Sequence, residues 1–134
     1  MKWYFEAWRR YAQFSGRATR QEYWMFTLFD QLIHWGLYIP VFMSDYEAEG
    51  AEMGFMTMLA SFGILIYTLA VFIPRLAITV RRLHDSGKSG FMVLVGAIPL
   101  IGGLILLGML VQESDAGENQ YGYLEKRSYD EVFE

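Results

Sequence analysis

With 54% hydrophobic and only 19% charged residues among 134, the chain is too apolar for an ordinary soluble domain, where charges make up about a quarter. It contains no cysteine, which excludes a disulfide framework, a thiolate nucleophile and any Cys-based metal site. The net charge of −4 hides a strong asymmetry along the chain. The length fits one domain over residues 1–134, and no shift of composition marks a second.

Lys2 to Phe14 comes first. At about 100° per residue, Lys2, Glu6, Arg9, Arg10 and Gln13 share one arc, and Trp3, Tyr4, Ala7, Trp8, Tyr11 and Phe14 fill the other. This reads as an amphipathic helix at the membrane surface, with packing on protein as the plainer alternative. Three apolar blocks follow, at 23–43, 53–73 and 91–111, each near the roughly 20 helical residues needed to cross hydrocarbon. Asp30, Gln31 and His34 interrupt the first, while the second and third carry no charge. The first has no small-residue cleavage site and reads as a retained span. The fold class expected is therefore all-α: three transmembrane helices preceded by an amphipathic interfacial helix. Residues 74–85 can extend the second span or bend along the surface at Pro74. Pro99 is expected to kink the third span, and Gly96 and Gly103, seven apart, lie on one of its faces.

The connecting segments alternate in sign. Residues 1–22 carry five bases, and the loop Ser44–Glu52 has four acids and no base. Residues 74–90 hold Arg75, Arg81, Arg82 and Lys88 against Asp85 alone, and the tail 112–134 has seven acids, its bases Lys126 and Arg127 lying far from the last span. The positive-inside rule then puts the N-terminus and residues 74–90 in the cytoplasm and the tail outside.

Two basic motifs would face the same side. Arg17 and Arg20 precede the interfacial anchors Tyr23 and Trp24, and Arg75, Arg81, Arg82, His84, Asp85 and Lys88 lie in the second inner segment. Together they could form a patch for anionic lipid or a partner protein; arginines that merely set topology and snorkel are the alternative. Asp30 and His34, one turn apart with Gln31 beside them, are costly at membrane depth. They read either as a proton or ion pathway or as a hydrogen-bonded pair holding helices together. Gly87-Lys88-Ser89 imitates a phosphate-binding loop, but Arg82 stands where its first glycine belongs. Two histidines do not make a zinc site. No catalytic residue, metal or cofactor is signalled, and nothing points to nucleic acid.

Phe14-x-Gly16-Arg17-Ala18-x-Arg20-x-Glu22-Tyr23-Trp24 and Arg81-Arg82-Leu83-His84-Asp85 are distinctive, as are Ile98-Pro99-x-Ile101-Gly102 and Gly117-Glu118-Asn119-x-Tyr121-Gly122. In that order they resemble the bacterial family of domain of unknown function 805. The resemblance runs to about Gly122 and implies a small multi-pass inner-membrane protein with no established activity or cofactor. Gln120 and Tyr123-Leu124 depart from the family's tail, and the Asp30–His34 pair lies outside its pattern. The function expected is a non-enzymatic binding or accessory protein. The alternative is a small homo-oligomeric channel or transporter using Asp30 and His34.

Overall fold

Local chemistry sets where each helix begins and ends. In the computed structural model, which describes residues 2–47 and 54–123, α1 is Lys2–Arg9, α2 is Arg20–Glu47 and α3 is Phe55–Asp85. Thr19 opens α2, its hydroxyl accepting from the Glu22 amide at 3.1 Å. Thr19-x-x-Glu22 is thus an N-terminal capping sequence, although the Glu22 carboxylate turns away to Arg81. α3 stops at Gly87, which takes φ +69°. There the Gly87 amide bonds to the His84 carbonyl and the Lys88 amide to that of Leu83, the paired bonds of a glycine-terminated helix.

α2 and α3 pack against each other along their lengths. Their 28 and 31 residues span about 42 and 46 Å at 1.5 Å per residue. Among the described residues, α3 is the helix that is both long and apolar enough to cross a membrane. α2 is long enough but carries Asp30, Gln31 and His34. Residues 74–85 continue α3 straight through Pro74. Proline has no amide hydrogen, so the Ala70 carbonyl four residues back loses its helical donor. The Tyr11 hydroxyl supplies the replacement at 2.8 Å.

α1 is shorter than the sequence implies, ending at Arg9 before a turn at 10–12. Its apolar face packs on protein: Ala7 is buried, Tyr4 stacks on Phe26 at 5.6 Å, and the Tyr4 and Tyr67 hydroxyls meet at 3.1 Å. These contacts bury part of the aromatic face, while Phe5, Tyr11 and Phe14 stay exposed.

The third apolar block departs most from expectation. It is not one helix over 91–111 but a 3-10 helix, Gly90–Ala97, followed by α4, Gly102–Val111. Pro99 disfavours the helical region for its predecessor, and Ile98 is extended. Leu100 takes φ +70°, and the chain doubles back. Gly102 sits so close to the Val95 carbonyl oxygen that any side chain would collide with it. The two limbs, about 16 Å and 15 Å long, end together. The Asp115 amide donates to the Asp85 carbonyl at 2.8 Å, and the Lys88 ammonium donates to Gln112. Residues 112–115 are thus bonded to the end of α3. The acidic connector at 48–53 and the sequence beyond Tyr123, with Lys126 and Arg127, lie outside the described residues.

Candidate functional site: a buried arginine cluster and a lateral cavity

The turn after α1, the last turn of α3 and the tail converge on Asp85, which is fully buried. One carboxylate oxygen accepts from Arg17 Nε at 2.9 Å, and the other accepts from Arg82 and from the Ser114 hydroxyl. The rest of the Arg17 guanidinium is spent on backbone. Its Nη1 donates to the Gly117 carbonyl at 2.6 Å and its Nη2 to the Asp115 carbonyl at 2.7 Å. Arg82 likewise donates to the carbonyls of Leu110 (3.0 Å) and Gln112. These are charge-assisted bonds from a planar fork, and they tie the free ends of α4 and the tail to α3.

Arg81 points to the other side of α3 and pairs with Glu22 at 3.2 Å. Its Nε and Nη2 are buried without a hydrogen-bond partner. Burial pushes the Glu22 carboxyl above its ordinary range, and the Arg81 charge opposes that shift. His84 Nδ1 meets the Gly16 carbonyl at 3.1 Å, the neutral ring donating, and the ring stacks on Tyr121 at 3.8 Å. Burial lowers the His84 pKa below its ordinary value. Asn119 closes the tail turn: its side-chain oxygen accepts from the Tyr121 amide at 2.9 Å, and its side-chain nitrogen donates to the His84 carbonyl at 2.8 Å.

A second polar group lies between α2 and α3, about ten residues up each helix. Asp30, 2% exposed, accepts from the Tyr67 hydroxyl at 2.9 Å and from Arg75. His34 Nδ1 lies 3.0 Å from the Asp30 carbonyl and its Nε2 3.3 Å from the Thr68 hydroxyl. Beside this group is a cavity of about 320 Å³. Tyr23, Thr27, Asp30, Gln31, Arg75 and Thr79 give it a polar wall, and Val93, Leu106 and Leu110 of the folded-back limbs line it as well. The Arg75 side chain is 45% exposed, and among the described residues only its Nη2 has a hydrogen-bond partner.

Arg17, Asp85, Asn119 and Gly122, scattered over more than a hundred positions, therefore meet in one lock. The family described as "Protein of unknown function (DUF805)" matches residues 11–123. The chain belongs to that family. It is 41% identical over 122 residues to Inner membrane protein YhaI of Escherichia coli (strain K12), covering 91% of this chain and 93% of that protein. Inner membrane protein YhaH of the same strain is 37% identical over 122 residues, covering 91% and 94%. No solved structure matches. The relatives make this DUF805 chain an inner-membrane protein of a family without an assigned activity.

The DUF805 motifs are thus largely architectural. Arg17, Arg81, Arg82 and Asp85 are buried and His84 nearly so, with their charged groups turned to the carboxylates and carbonyls of the protein. Arg20 remains half exposed, 4.0 Å from Glu113 of the tail, and Lys88 is engaged by Gln112. Tyr23 lines the cavity and Trp24 stands edge-on to it at 5.2 Å. Pro99 and Gly102 make the fold-back, while Gly16 and Gly122 take positive φ. Sequence reading had no means of linking Arg75 to Asp30, since the two are 45 positions apart; the spare, polar side chains at Thr27, Gln31 and Thr79 were the available hint. Among the described residues no group of three or more His, Asp or Glu could hold a metal.

Proposed function

We propose that the protein is a non-enzymatic binding protein of the inner membrane whose lateral cavity takes the anionic headgroup of a lipid. α2 crosses the bilayer beside α3, with the N-terminus and the α3 end cytoplasmic, as the basic residues of those segments favour. The observation that carries the reading is Arg75. It is half exposed in a cavity whose remaining lining is hydroxyl, amide and apolar groups and Asp30, and the buried Asp30 carboxylate, already paired with it, orients one edge of its guanidinium. An arginine held in this way offers its remaining donors to phosphate oxygens. The apolar wall suits the first carbons of an acyl chain. The anionic-ligand role thus moves from the arginines of the lock to the cavity.

Conduction through Asp30 and His34 is less well supported, because Asp30 is enclosed by Tyr67 and Arg75 and His34 is engaged at both ring nitrogens.

Native mass spectrometry of protein released from nanodiscs of host lipid tests the proposal. Removing Arg75 alone would strand a buried carboxylate, so the pair is removed together as Asp30→Asn with Arg75→Gln. Retained anionic lipid is expected to fall at least tenfold in this variant and to persist in Arg9→Gln, whose side chain is far out in solvent. Equal retention by both variants would refute the cavity as the site.

A further inference from the structure

The proposed ligand cavity leaves the outer side of the fold-back unexplained, and that side is apolar and exposed. Leu100 at the tip is 97% exposed, and Phe91, Leu94, Ile101 and Leu104 are open along the limbs. Residues 91–111 contain no charged side chain. A contiguous exposed apolar surface of this kind marks an interaction site, with lipid or protein.

We infer that residues 90–111 form a re-entrant hairpin that enters one leaflet from the cytoplasmic end of α3 and turns back at Leu100, with acyl chains as its partner. Three independent features support this. Each limb is about 15 Å long, half the roughly 30 Å hydrocarbon thickness, so the tip reaches the middle of the bilayer and no further. Both ends are fixed at one level by the lock: Ser89 and Lys88 start the hairpin directly after the end of α3, and Gln112 and Asp115 finish it on Lys88 and Asp85. Finally, the reversal is partly bonded to itself, from the Ile101 amide to the Pro99 carbonyl at 2.9 Å and from the Gly102 amide to the Ile98 carbonyl at 3.0 Å. Each such bond removes one unpaired backbone group that hydrocarbon would otherwise penalise. The inner limb faces rest on α3, leaving the outer faces for lipid.

The absence of cysteine allows a direct test by single-cysteine labelling in sealed vesicles of known orientation. Ser15→Cys, Glu118→Cys, Ala51→Cys and Leu100→Cys are made separately in the full chain and treated with a membrane-impermeant maleimide. Ser15→Cys and Glu118→Cys are expected to react from one side and Ala51→Cys from the other. Leu100→Cys should resist the impermeant reagent from both sides, yet react with a lipid-soluble maleimide without detergent. Glu118→Cys reacting on the side of Ala51→Cys would show a third crossing and overturn the hairpin. Leu100→Cys reacting with the impermeant reagent would place the tip in water. Leu100→Cys protected from both reagents, or forming disulfide-linked dimers, would put a second copy where lipid is proposed.

Discussion

Asp85 accepts from two guanidinium groups and a hydroxyl while out of contact with water. Placing three charges in the interior is itself expensive, and removing one partner is worse, because the others stay buried without compensation. Asp85→Asn preserves the shape and deletes the charge. It is expected to lower stability by about 3–5 kcal/mol, read as a large drop in the melting midpoint of detergent-solubilised protein. Little change would mean that the arginines find other acceptors. The residue types were legible in the sequence, but their placement was not. Arginines beside a membrane span usually reach for headgroups, and the acceptors that hold Arg17 inside are mostly backbone carbonyls of Asp115 and Gly117. A carbonyl carries no side-chain signature, so no pattern of residues announces it.

Among the elements, α2 and α3 were readable because apolar runs of about 20 residues leave few alternatives, and Pro74 interrupted neither run nor helix. The block at 91–111 was misread for the same reason: hydropathy measures length and greasiness, and a folded-back pair of short limbs has both. Pro99 was visible as a kink. The informative residue was Gly102, whose closeness to Val95 only a reversal of direction creates. Gly102→Ala is expected to cost about 1–3 kcal/mol through overpacking. Gly103→Ala, with open space around it, should be neutral or gain up to about 1 kcal/mol of helix propensity. Equal effects in thermal melts would show that the limbs are not held in close contact.

For the molecule as a whole, the charge pattern and the proposed hairpin differ on the side of the tail. Seven acids in the tail suggested the outside, but acidic residues contribute little to the positive-inside rule. The contact of Asp115 with Asp85 keeps the described part of the tail beside the basic end. His84 joins three distant segments there, through Gly16, its own helix and Tyr121. Because burial lowers its pKa in the fold, the unfolded chain binds its proton more readily. Its contribution to stability is therefore complete above about 6.5, the unfolded value, and is lost as pH falls through the lower folded value. Glu22, shifted upward by burial, acts with the opposite sign as pH rises above its unfolded value. The comparison is thus with His84→Phe, which keeps the stacking. Melting between pH 7 and 5 should fall more steeply for the unsubstituted chain than for this variant, and parallel curves would remove His84 from the lock. The same lock has a consequence for biosynthesis. Arg17 emerges early, whereas its acceptors at Asp115 and Gly117 come 98 and 100 residues later. At about 5–20 residues per second it waits on the order of ten seconds for them. Helices can insert and pair during that interval, but the lock around Arg17 closes only when the late end arrives. A nascent chain interrupted after Val111 would therefore hold inserted helices and an Arg17 guanidinium without its tail acceptors together.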